Sequence, residues 1–273
     1  MLKQHQRRDS ILRAPRTFWR VMLQGRYDFV YDLMPVNIRG LSAAKRINLL
    51  LSGSHLLYRQ LRPRNLPLHM QIELTSYCNL RCPVCPTGSG ILRRPAQAMD
   101  PDLFERVMRE VGPYLLTMSL WGWGESLLHP QFREFLRIAH QYPIMTQVST
   151  NGQNLDDEAI ISALVDYPPT YLIVALDGLT DETNTVFRKG ARLAPALEGV
   201  RRIARIKQQR GLERPVSHMR FIVMKQNEHE APLAPDFARE HGFDLLTMRT
   251  LSIIDSTDDL HQSLLPESPE YRP

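Results

Sequence analysis

The 273-residue sequence predicts an α/β protein of parallel strand–helix units, and two observations carry that expectation. Six apolar stretches of strand length alternate with stretches of helical periodicity between residues 66 and 252. Four conspicuous loops each follow the C-terminal end of one of the first four strands. Connections of this kind are right-handed, so the sheet either opens doubly wound or curls into a barrel. In a barrel those loops share the active face, although they spread over a hundred residues of chain. Gly-x-Gly-x-x-Gly is absent, which leaves a dinucleotide-binding fold without support.

The elements follow in order. Leu68, Met70, Ile72 and Leu74 alternate as a strand does. Asp100 is a good N-cap with Pro101 at the first helical position, and Phe104, Val107, Met108 and Val111 form one helix face. Leu116–Trp121 is the second strand, followed by Gly122-Trp123-Gly124-Glu125 and a helix over Pro130–His140. Ile144–Ser149 is the third strand, running into Thr150-Asn151-Gly152, with a helix over Asp157–Val165. Tyr171–Leu176 is the fourth, closing on Asp177-Gly178, after which Thr180 caps one helix and Leu197–Gln209 forms a longer basic one. Met219–Met224 and Leu245–Leu251 complete the set, with a helix over Glu230–Glu240 between them.

Charge is uneven. Residues 1–65 hold thirteen Lys/Arg against three Asp and no Glu, a balance of +10, while the rest of the chain is at −5. This segment reads as a basic helical extension, with Leu41–Leu61 helical and Leu49, Leu50, Leu56 and Leu57 as its apolar stripe. Tyr27, Phe29, Val30 and Tyr31 are expected to pack on the main body. Such a segment is either a solvated extension or a surface for an acidic partner or a membrane face. No run of eighteen apolar residues exists to span a bilayer, and no apolar segment follows the charged N-terminus as a signal peptide requires. Sparse free cysteine fits a reducing cytoplasm.

All three cysteines lie in one eight-residue window, Cys78, Cys82 and Cys85, spaced C-x3-C-x2-C. Soft thiolates at this density select an iron–sulfur cluster, zinc or copper(I), and three ligands leave one position open for chemistry. Zinc would need a fourth ligand from a distant His such as His129 or His140, and no second Cys or His pair exists. A disulfide framework does not suit an odd count.

The spacing resembles the radical S-adenosylmethionine (radical SAM) enzymes. That resemblance covers about residues 66–252 and implies a partial (β/α)6 TIM-type barrel with an N-terminal helical extension. It also implies a [4Fe–4S] cluster on Cys78, Cys82 and Cys85, whose open iron binds S-adenosyl-L-methionine. The reduced cluster then cleaves that sulfonium to a 5′-deoxyadenosyl radical, which takes hydrogen from a substrate. Trp123-Gly124-Glu125-Ser126 is similar to the family's Gly-Gly-Glu-Pro stretch, with Trp123 and Ser126 as departures. Gly124 implies close backbone approach and Glu125 a contact to the methionine ammonium group. Val84 stands where relatives carry an aromatic residue. Ser149 and Asn151 match a polar stretch that reaches the ligand carboxylate or ribose, or forms a tight turn with Gly152. Ala175-Leu176-Asp177-Gly178 resembles a Ser-x-Asp-Gly stretch whose serine is lost; Asp177 substitutes for it or caps a turn. Arg188 is a carboxylate contact or a surface charge, Val223 an adenine contact, Asn227 a nearby hydrogen bonder, and His129 structural. The catalytic residue for substrate is not assigned.

Residues 253–273 resemble the linker that leads, in many relatives, to a Cys-rich SPASM or twitch domain. Such relatives modify peptides or proteins and take electrons from a flavodoxin- or ferredoxin-type donor. Without further cysteines the alternative is a truncated or idle homologue that binds a cluster or partner without turnover.

Overall fold

The computed structural model describes residues 16–251 and 259–272. Six parallel strands form one sheet in chain order: β3 (His69–Gln71), β4 (Thr117–Leu120), β5 (Met145–Thr150), β6 (Tyr171–Ala175), β7 (Val216–Val223) and β8 (Leu245–Thr250). β3 and β8 remain as unpaired edges, so the barrel is partial. Helices α3 (Pro101–Val111), α4 (Phe132–His140), α5 (Glu158–Asp166), α6 (Asp181–Phe187), α7 (Leu193–Arg210) and α8 (Ala234–Glu240) lie between the strands in sequence.

The caps follow the sequence. Asp100 accepts from Asp102 N at 2.9 Å with Pro101 opening α3, and Asp157 accepts from Ala159 N at 2.7 Å at the start of α5. Thr180 and Thr183 form a reciprocal capping box on α6. Gly211 ends α7 at φ 64, the left-handed cap a glycine takes without cost.

Strand alternation divides the packing. Leu172, Val174, Met219, Phe221 and Val223 join the main core with Phe104, Met108, Phe135 and Val200 from the helices. Tyr171 and Ile173 turn the other way, into a second cluster with Val21, Met34, Val36 and Ile38. That second cluster is filled by the N-terminal segment, which is not wholly helical as expected. Residues 16–24 are helical (α1), but β1 (Tyr27–Tyr31) and β2 (Met34–Ile38) pair as an antiparallel hairpin before α2 (Ala43–Leu57). The hairpin plugs the N-terminal end of the barrel. Tyr171 Oη donates to Pro35 O at 2.6 Å, and Tyr31 Oη meets His69 Nε2 at 3.0 Å. Tyr27, Phe29 and Tyr31 pack there, whereas Val30 is exposed because β1 alternates. Of the expected α2 stripe, Leu49 packs on the second cluster and Leu50 is half-buried, whereas Leu56 and Leu57 are exposed, and α2 also turns Lys45, Asn48 and His55 inward.

Of the C-terminal stretch, residues 259–272 are described. α9 (Asp259–Leu264) returns to the barrel, where Leu264 O accepts from Lys225 N at 3.0 Å and Ser268 N donates to Glu228 Oε2 at 3.0 Å.

Candidate active site

After β3 the chain runs through Ile72 and Leu74 into the cysteine loop. Cys82 is buried and Cys78 and Cys85 are half-buried, all three free. Leu80, Phe187, Met224, Leu251 and Leu264 wall the loop with apolar surface, and Val84 packs there as well. Leu80 N lies 3.4 Å from Cys78 Sγ and Asn151 Nδ2 lies 3.6 Å from it, both as donors. Burial pushes the Cys82 thiol up to about 11, with the Arg188 charge pulling the other way; burial raises Cys78 as well. Each of these thiols also feels the charge of Cys85, so the three share one neighbourhood. Burial favours the neutral thiols, and a metal centre is what would draw off their protons and hold them as thiolates. A sulfur-only donor set with N–H donors beside one sulfur fits an iron–sulfur cluster.

The second loop is fastened to the first. Glu125 N donates to Tyr77 O at 2.9 Å, and Thr75 Oγ1 donates to Glu125 O at 2.8 Å. Gly124 lies so close to the β3 extension that a Cβ would come within 1.9 Å of Thr75 O, which explains why glycine stands there. The Glu125 carboxylate is buried. It accepts from Leu127 N at 3.1 Å and from Asn151 N at 2.8 Å, and so joins the second loop to the third. Burial raises its pKa against those hydrogen bonds. Asn151 continues the chain of contacts, donating from Nδ2 to Asn79 Oδ1 at 2.7 Å. Ser149 is half-buried on β5, opposite Ile173.

At the fourth strand, Asp177 Oδ2 and Arg188 Nε form a buried ion pair at 2.7 Å, a charge contact rather than a well-aligned hydrogen bond. Arg188 is not a surface charge: its side chain is 11% exposed, and its field reaches Cys82 and Glu125. Burial pushes the Asp177 carboxyl up against the pull of Arg188. Asp177 Oδ1 accepts from Ile222 N at 2.8 Å, and Asn227 Nδ2 donates to Asp177 O at 2.8 Å. Val223 belongs to the helix-side core, and its neighbour Ile222 is the one that borders the cysteine loop, because adjacent strand residues face opposite ways. His129 is structural: Nε2 meets Met99 O at 2.9 Å and Nδ1 accepts from Gln131 N at 3.0 Å.

Sequence reasoning missed Glu73. Its Oε1 accepts from Trp123 N at 2.6 Å and Gly124 N at 2.9 Å, while Arg94 closes an ion pair on it. Those partners hold its pKa down. The available signal was one carboxylate between Ile72 and Leu74 in an otherwise apolar strand. Leu264 at the cysteine loop had no such signal. A cavity of about 590 Å³ opens at the opposite end, beside the hairpin and Pro143, away from these loops.

The family model described as the Radical SAM superfamily matches residues 72–234, more than half the chain. The chain belongs to the radical SAM superfamily. Superfamily members are enzymes that use a [4Fe–4S] cluster and S-adenosylmethionine. The tungsten-containing aldehyde ferredoxin oxidoreductase cofactor-modifying protein of Pyrococcus furiosus is 25% identical over 185 residues, 67% of this chain and 51% of that protein. The PqqA peptide cyclase of Gluconobacter oxydans is 24% identical over 181 residues, 64% of this chain and 47% of the cyclase. The radical SAM chain thus spans about half the length of these curated relatives. In fold it is similar to Streptococcus suis SuiB bound to precursor peptide SuiA, with a TM-score of 0.60 at 18% identity over 78% of this chain and 46% of SuiB.

Proposed function

We propose that this chain is a radical SAM enzyme that takes hydrogen from a peptide or protein substrate. The observation that carries the reading is the hydrogen-bonded union of loops distant in sequence: the cysteine loop, Glu125 and Asn151, with Arg188 beside Cys82. Cys78, Cys82 and Cys85 hold the cluster. When bound, the reduced cluster supplies one electron to the sulfonium of S-adenosylmethionine and so generates the hydrogen-abstracting radical. The chain's own residues provide rigidity and exclude water. Glu73 and Glu125 fix the Gly-Trp-Gly-Glu loop through backbone N–H groups, and Gly124 keeps that backbone against Thr75. Asn151 steadies Cys78, and Arg188 offsets negative charge at Cys82 while pairing with Asp177. Leu80, Phe187, Met224 and Leu264 keep the loop dry.

Ser149, Asn151 and Arg188 would meet the cosubstrate from the third and fourth loops. The peptide class is supported by the peptide-binding relatives. A flavodoxin- or ferredoxin-type donor in a reducing cytoplasm would supply the electron. Residues 66–252 act as the catalytic core, residues 1–65 as a basic docking extension and residues 253–273 as a tail. The test is anaerobic reconstitution with iron and sulfide, then reductant and S-adenosylmethionine. 5′-Deoxyadenosine that disappears with Cys82→Ala supports the reading. A bound cluster without product would mean an idle core, and no cluster would remove the assignment of the three thiols.

A further inference from the structure

The outer surface of the N-terminal region has the wrong polarity for water. Twelve of the nineteen exposed large apolar side chains among the described residues fall within residues 16–66, less than a fifth of the chain. α2 is inside-out. Lys45 Nζ donates to Pro143 O, Asn48 Nδ2 donates to Leu66 O at 3.1 Å, and His55 Nδ1 meets Asn65 Oδ1 at 2.8 Å; all three residues are buried. The outward face carries Ile47, Leu51, Leu57 and Tyr58 at helical spacing, continued by Leu61, which is 97% exposed. A surface helix normally shows the reverse. The face is also basic: Arg59, Arg62 and Arg64 are exposed among Tyr58 and Leu61. α1 is tied on alongside, since Arg46 Nη1 donates to Met22 O at 2.7 Å, and it adds exposed Trp19.

We propose that this face lays the enzyme on an anionic lipid bilayer. The inference deepens the docking role proposed for residues 1–65 and does not depend on the catalytic reading. Exposed apolar side chains gathered on one helix face mark an interaction surface. The charge selects the occupant. Exposed Arg59, Arg62 and Arg64 complement an anionic headgroup layer, and interleaved Arg, Leu and aromatic side chains suit the boundary between headgroups and acyl chains. No helix among the described residues is long and apolar enough to cross a membrane, so the element lies on the surface. The polar inward face is satisfied within the protein, so docking needs no unfolding of α2.

The test is sedimentation of the full chain with phosphatidylcholine vesicles, with and without phosphatidylglycerol at about a third of the lipid. The expected result is partition at least about tenfold stronger to the anionic vesicles and weakened by added salt, each nearby cation being worth about fivefold. Leu57→Glu with Leu61→Glu should cut partition at least about tenfold with an unchanged unfolding midpoint, because both side chains face solvent. If that pair disturbs folding, replacing Arg59, Arg62 and Arg64 with Ser should remove the anionic preference. Absence of vesicle binding, or binding indifferent to both variants, overturns the proposal. So does a soluble dimer that Leu57→Glu with Leu61→Glu splits, which assigns the face to a second copy, or binding only to an acidic protein. In each of these cases retained 5′-deoxyadenosine formation leaves the catalytic reading standing.

Discussion

The two ends of this molecule treat charge in opposite ways. At the C-terminal mouth, charged groups are answered: buried Glu125 by backbone N–H groups, buried Asp177 by Arg188 and Ile222 N, and half-buried Glu73 by Arg94 and two loop amides. In the N-terminal region the buried cation of α2, Lys45, donates to a carbonyl oxygen, and Leu51, Leu56 and Leu57 face outward. The carboxylates of the mouth are therefore answered by partners among the described residues. The extension is complete only if something covers it. Removing a buried charge should then destabilise one end and stabilise the other.

The largest effect is expected at the ion pair. Arg188→Leu leaves Asp177 buried and unpaired, which should cost about 3–5 kcal/mol. Urea unfolding checks it, and adding Asp177→Asn should restore more than half of the loss. A loss below about 1 kcal/mol would mean that the pair is solvated and the mouth no more closed than the extension. Next comes Gly124→Ala. A backbone carbonyl 1.9 Å from the new Cβ cannot rotate away, so the two loops must part, at about 3 kcal/mol. Loss of reconstituted iron as well as stability would show that the second loop holds the first. Glu125→Gln should cost less, about 1–2 kcal/mol, because one amide oxygen still accepts from Leu127 N or Asn151 N while the NH2 opposes the other. A thermal midpoint equal to that of the unchanged protein would argue against Glu125 as the joint between loops.

Legibility divides along the same line. The cysteine loop, Gly124-Glu125, Asn151 and Asp177 are short motifs at strand ends, and local chemistry marks them in the sequence. Strand order and parallel pairing follow from the alternation of elements. The hairpin does not. Its turn places Asp32 at φ 53 and Leu33 at φ 64, where an Asn-Gly pair would have advertised it. α2 misleads for a different reason. Its leucines form a stripe that reads as core, and only tertiary contacts to Pro143, Leu66 and Asn65 turn the polar side inward. Arg188 looks like any surface arginine until β6 and the cysteine loop close over it.

The smallest effect has the opposite sign, and it bears most directly on the contrast. Lys45 is 2% exposed, and burial lowers its pKa from 10.5 to about 8. At pH 7 both folded and unfolded chains carry the charge, and only the folded chain holds it away from water. Lys45→Met should therefore stabilise the protein at pH 7. The shift alone corresponds to about 3 kcal/mol, reduced to about 1–2 kcal/mol by loss of the hydrogen bond to Pro143 O. Between pH 8 and 10.5 the folded lysine releases its proton while the unfolded one keeps it, so stability contributed by this group rises with pH. The advantage of Lys45→Met should shrink across that window and vanish above it. Thermal unfolding of both proteins from pH 7 to pH 10.5 measures this. A constant difference would mean that Lys45 acts through packing, and its inward turn would then say nothing about why the leucines of α2 face out.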